Sequence, residues 1–269
     1  FSCTQFDADG LTQDVMITEI MASNYTTIED GYGNSSDWIE LYNSGLFPID
    51  LTGWFLTDRQ SNPDKWSFPP GTLIQAHEFM IVFASGRTLQ SKKDPKGFLH
   101  TNFKLSKNGE YLALVKPDKK SIISQHSPTF PKQFNDISYG FSMFISSKGF
   151  IQIGKKGYFK KPTPGIINQV LTSDIGPVIY NVTHQPKSVN PDGLLVITTR
   201  AKPTLNLISQ INLHYRVMYG QEHIAPMKDN GFTPDEIAND GIYSALIRPG
   251  LAKPGQMISY GHTAACEPL

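Results

Sequence analysis

Cysteine is nearly absent from this chain: the only two among 269 residues, Cys3 and Cys266, stand near opposite ends. A disulfide-stapled fold is therefore excluded, and apolar cores must hold the domains together. One bridge between them would need both Cα atoms within ~7 Å. Long apolar runs are missing too, since no segment approaches the ~18–20 residues of a membrane-spanning helix. Phe1-Ser2-Cys3-Thr4 lacks the basic and apolar regions of a signal peptide. Phe1-Ser2-Cys3 resembles the end of a lipoprotein signal, but a lipidated Cys3 would require removal of Phe1 and Ser2. The chain reads as soluble. It also lacks an excess of either charge: Lys+Arg and Asp+Glu are both 24. No global field then draws it to nucleic acid or anionic membrane, and nucleic acid is not an expected partner.

Glycine (22) and proline (19) are plentiful, while charged residues make up only 18%. That balance fits many short strands joined by sharp turns and speaks against long helices. Domains commonly run ~100–150 residues, so two cores are expected. Two-residue alternation predicts strands in Met16 to Met21 and Ser36 to Asn43, with a polar loop from Asn24 to Ser35 between them. Leu51 to Asp58 is a third strand with Gly53 inside it. Glu78 to Ala84 is too apolar for one wet face and is expected near the centre of a sheet. Two hairpins follow: Gly109–Val115 with Ile122–Gln125, and Ser142–Ile145 with Phe150–Ile153. Pro162-Thr163-Pro164-Gly165 breaks this rhythm, and the polar stretch from Asn168 to Gly176 is the expected linker. A second β series runs from Val178 to Ala264, with room for about seven strands. Pro234 to Ala238 is the one helical hint.

The run Ile17 to Asn24, followed by Asp37-Trp38-Ile39-Glu40-Leu41-Tyr42-Asn43 and Asp50-Leu51-Thr52-Gly53-Trp54, resembles the lamin tail domain family in its bacterial secreted form. Trp66-Ser67-Phe68-Pro69, Phe103-Lys104-Leu105-Ser106, Ser138-Tyr139-Gly140 and Pro162 to Asn168 continue the resemblance. It implies an immunoglobulin-type β-sandwich used for interaction. It does not imply a lamin, because a filament rod needs sustained heptads and none occurs. His214 to Val217, Asn239 to Ala245 and Ile258-Ser259-Tyr260 are similar to the immunoglobulin-like module that follows such domains. The expected architecture is all-β: a lamin-tail-like sandwich over 15–168 and an immunoglobulin-like sandwich over 177–269, in tandem.

Signals for chemistry are sparse. Gly149 to Lys156 nearly spells a phosphate-binding loop, but Lys156 stands where Ser or Thr is required, and a strand with a glycine kink is the better reading. The seven histidines fall at no zinc-ligand spacing. No Gly-x-Ser-x-Gly elbow occurs, although sequence distance alone does not reveal a Ser-His-Asp triad. Glu19, Asp37 and Glu40 could serve as an acid/base set or a metal site, yet their large apolar neighbours favour a structural role. Trp38, Trp54 and Trp66 are better placed as core residues than as sugar-stacking platforms. Lys92-Lys93-Asp94-Pro95-Lys96 reads as a solvated loop.

The densest oxygen-ligand cluster is Asp229, Asp235 and Asp240. It supports two readings, a calcium loop site or tight-turn formers of the Asn-Gly and Asp-Gly kind. No other cofactor is implied. Asn24, Asn34 and Asn181 begin glycosylation sequons, which matter only in a eukaryotic secretory setting. These readings lead to a non-enzymatic extracellular or cell-surface adhesion module, part of a larger exported bacterial protein, with an unknown protein or polysaccharide as its partner. The alternatives are the accessory front of a spore-coat-type kinase or other secreted enzyme, and a carbohydrate-binding module.

Overall fold

The computed structural model describes residues 15–266 apart from positions 90, 148, 150, 169, 189, 191 and 192. Among them every regular element is a strand. The chain divides into two compact units, one up to Thr172 and one from Ser173.

The first unit opens with β1 (Val15–Met21), β2 (Asp37–Asn43), β3 (Ile49–Asp50), β4 (Phe55–Thr57), β5 (Trp66–Ser67) and β6 (Leu73–Ile74). It continues with β7 (Phe79–Ala84), β8 (Leu99–His100), β9 (Leu112–Val115), β10 (Ile122–His126), β11 (Ser138–Ile145) and β12 (Ile151–Phe159). A six-stranded sheet runs β12-β11-β1-β2-β7-β8, and a four-stranded sheet runs β10-β9-β4-β5. The inward residues Val15, Ile17, Ile20, Ile39, Leu41 and Val82 of the large sheet share one buried cluster with Leu56, Trp66, Leu112 and Leu114 of the small one. This interleaving of two apolar faces is what closes a β-sandwich.

The large sheet is buried on its other face as well, which explains two departures from expectation. β7 lies beside the edge strand β8 instead of at the centre. Its apolar run persists because Phe83 is covered by Phe98 and by the stacked ring of His100. Trp38 is fully buried, yet it packs with Met21 and Phe83 beneath Ile28, away from the inter-sheet core. Trp54 is only partly buried against that core.

The second unit contains β13 (Val178–Gln185), β14 (Leu195–Lys202), β15 (Ile208–Val217), β16 (His223–Met227), β17 (Ile242–Ile247) and β18 (Ile258–Cys266). Among the described residues these are six strands where about seven are expected. They form two antiparallel three-stranded sheets, β13-β14-β17 and β16-β15-β18. Leu195, Ile197 and Ile247 from the first sheet meet Ile211, Leu213 and Met227 from the second in a small core. Period-two alternation decides this packing, most plainly in β18, where half-buried and exposed positions trade places along the strand up to the buried Cys266. Pro234 to Ala238 forms turns and no helix. Cys266 is buried, and its pairing with Cys3 falls outside the described residues.

Candidate functional site

Three groups of polar side chains concentrate the chemistry. The first is on the outer face of the large sheet, where Glu19 of β1 and Glu40 of β2 stand directly opposite each other in register. Both are fully buried. A bulge between Ile17 and Glu19 shifts the register there, which changes how side chains fall on the two faces. Gly140 on β11 makes the close approach possible: a Cβ there would collide with the backbone of Thr18 and Glu19.

The Pro162 to Asn168 segment roofs this pair. Gly165 N donates to Glu40 Oε2 at 2.7 Å and Thr163 N donates to Glu19 Oε1 at 3.3 Å. Thr18 Oγ1 donates to Glu40 Oε1 at 2.7 Å, and Ser138 Oγ donates to Glu19. Thr163 Oγ1 lies 2.6 Å from Asn168 Oδ1 and 3.3 Å from Glu19 Oε2. A hydroxyl has one proton to give, and the shorter bond to Asn168 takes it.

Burial pushes Glu19 up to about 7 against the bonds from Ser138 and Thr163. Burial and then the charge of Glu19 push Glu40 up to about 8. Two like charges this close and this dry cannot both ionise at neutral pH. Asp37, the third carboxylate of the motif, is displaced to about 6, chiefly by burial, and accepts from Asn24 N at 3.5 Å. The three carboxylates therefore tie loops to the sheet.

The second group was not visible in the sequence. Ser85 Oγ lies 2.8 Å from His100 Nδ1, and His100 Nε2 lies 3.0 Å from Asp94 Oδ2. These are the residue types of a hydrolytic triad, but a nucleophile needs an approach for substrate, and all three residues are buried. The Ser85 oxygen also accepts from Arg87 N at 3.3 Å. Asp94 further accepts from the backbone N–H of Gly31, Lys96 and Phe98. Burial alone would raise this carboxyl; the His100 and backbone bonds outweigh it and hold the group below its usual value. The chain of bonds pins the 86–98 loop to the loop at Gly31. One signal could have found it, since Asp-Pro-Lys-Gly is a turn pattern that aims the Asp oxygen at nearby N–H groups. The neighbouring Lys92 is not free either: its Nζ donates to Ser67 O at 2.7 Å and lies over the Trp66 ring.

Asn24 is also committed, because its Nδ2 donates to Ile28 O and Ser36 O from a buried position. The amide needed for glycosylation is thereby occupied.

The third group is in the second unit. Carboxylate oxygens of Asp229, Asp235 and Asp240 come within 4.8 Å of one another. Each also terminates a turn. Asp235 Oδ2 accepts from Asn230 N and Gly231 N, both at 2.6 Å. Asp229 accepts from Asp240 N and Gly241 N, and Asp240 accepts from Ile242 N. Asp229, Asp235 and Asp240 thus lie in one loop region, with backbone donors on every member.

Folded this way, the first unit is an immunoglobulin-like β-sandwich whose large sheet is roofed by its own loops. Residues 10–129 match the lamin tail domain family. β11, β12 and the Thr163–Asn168 roof lie beyond the matched residues yet complete the same sheet and bury its carboxylates. No curated protein matches the chain.

Proposed function

We propose that this protein is a non-enzymatic interaction and adhesion module of the cell exterior, part of a larger exported bacterial protein. The observation that carries the reading is the fate of the motif carboxylates. Glu19 and Glu40 are fully buried and spend their oxygens on backbone and hydroxyl donors within the domain, which supports a scaffold over a catalyst. A lamin tail domain is compatible with that role. Exposed apolar side chains, among them Phe47, Phe144 and Ile145, are available for contact with a partner. Trp38 and Trp66 are buried, which counts against a carbohydrate platform made of tryptophans.

The test is to fractionate the producing cells and treat intact cells with protease. The protein should appear in the medium or be cleaved from the surface. Recovery wholly from the cytoplasm would refute the extracellular assignment.

A further inference from the structure

We infer that the C-terminal unit binds a ring-sized organic carboxylate in a cleft between the edge strands β13 and β18. The two sheets of this unit end on these strands. His184 of β13 and Tyr260 of β18 bridge them, with Nδ1 and the hydroxyl 3.1 Å apart and the rings at 81°. Next to this bridge is a cleft of about 370 Å³ with Leu195 and Ile258 among its lining and the Ala252–Gln256 turn along one side. Small-molecule sites span ~300–1,000 Å³, so this one suits a single small ring.

The chemistry of the lining selects the ligand. Lys253 is an exposed cation there, and no carboxylate is among the described lining residues. An ammonium with no carboxylate among the described lining residues, over a partly apolar surface, favours an anion that carries its own apolar or ring-shaped body. Gln256 Oε1 accepts from Lys253 N at 2.8 Å, which leaves the Gln256 amide N–H groups as further donors in the lining. The His184 and Tyr260 pair adds hydrogen-bonding atoms on the opposite strands, and the Tyr260 ring offers a face for stacking. A carboxylate at Lys253 and Gln256 with its ring toward Tyr260 uses the cation, the amide donors and the aromatic face together. The inference holds wherever the protein resides, so it stands or falls apart from the extracellular reading.

An acidic sugar and an aromatic acid share this chemistry, and calorimetric titration of the full chain separates them. Probes are glucuronate and benzoate, with glucose and benzamide as uncharged counterparts. At least one acid should bind saturably and more weakly in added salt, while its uncharged counterpart does not. Which acid binds identifies the source. Lys253→Met should cut affinity about tenfold or more, since a bond to a charged group is lost. Its exposed position leaves folding intact, to be verified by an unchanged melting temperature. Tyr260→Phe should weaken binding but keep the preference for acid over neutral probe. Binding of neither acid, equal binding of acid and neutral probe, or full affinity in Lys253→Met would each overturn the assignment.

Discussion

Glu19 and Glu40 face each other across the β1–β2 ladder, fully buried, with the backbone N–H groups of Thr163 and Gly165 donating to them from the roof. In the unfolded chain both side chains ionise near ~4.3; in the fold they are raised to about 7 and about 8. Between these limits the folded state binds more protons than the unfolded one, so stability falls as pH rises from about 4.5 through 8. A tenfold change in proton affinity is worth about 1.4 kcal/mol, and the loss should reach on the order of a few kcal/mol. Denaturant midpoints of the first unit, measured from pH 5 to pH 9, should decline across this window. Glu40→Gln, which cannot ionise, should flatten the decline and exceed the native protein at pH 9. A flat profile in the native protein would show that the pair stays ionised at no cost.

Trp38 is the largest side chain sealed under the 24–36 loop, where its Nε1 lies 3.4 Å from Thr27 Oγ1. Trp38→Ala should destabilise by ~3–5 kcal/mol, as deletion of a fully buried aromatic does. Trp54 is only partly buried, and Trp54→Ala should cost about half as much. Equal losses in thermal denaturation would mean that Trp54 carries more of the packing than its exposure indicates.

Asp94 gathers His100 and three backbone N–H groups at one carboxylate. Asp94→Asn replaces one acceptor oxygen by a donor, so at least one buried partner is left unsatisfied, at a cost of ~1–3 kcal/mol. Hydrogen exchange should show the first loss of protection at Gly31, Lys96 and Phe98. Ser85→Ala removes only the end of the chain and should cost less, about 1 kcal/mol. If Ser85→Ala proved the more damaging of the two, the loops would be organised from the serine end.

Calcium should leave the melting temperature of the second unit unchanged. The cation prefers six to eight oxygens, whereas Asp229, Asp235 and Asp240 already receive the N–H groups of their own turns. Calorimetry with calcium and with chelator checks this. A rise in melting temperature that disappears in Asp240→Ala would establish a metal site, because a ligand bound only by the native state stabilises it by mass action.

What the sequence determined by itself was local: strand existence, turn positions and the identity of the domain motifs. Alternation placed Ile39 and Leu41 on one face of β2 and Trp38 and Glu40 on the other, because side-chain direction in a strand has period two. Dense glycine and proline marked the ends of short strands, and the Asp229 to Asp240 loop was legible because Asn-Gly and Asp-Gly are turn chemistry. Alternation names two faces, but it does not say whether a face meets water or a second layer. That was decided by contacts far apart in the chain: Thr163 and Gly165 closing over Glu19 and Glu40, and Phe98 and His100 covering Phe83. The same limit hid Ser85, Asp94 and His100, whose bonds depend on how the 86–98 loop folds back onto β8. Burial is a property of the assembled fold, and burial is what turned the motif carboxylates from candidate acids and bases into the ties of a roofed sheet.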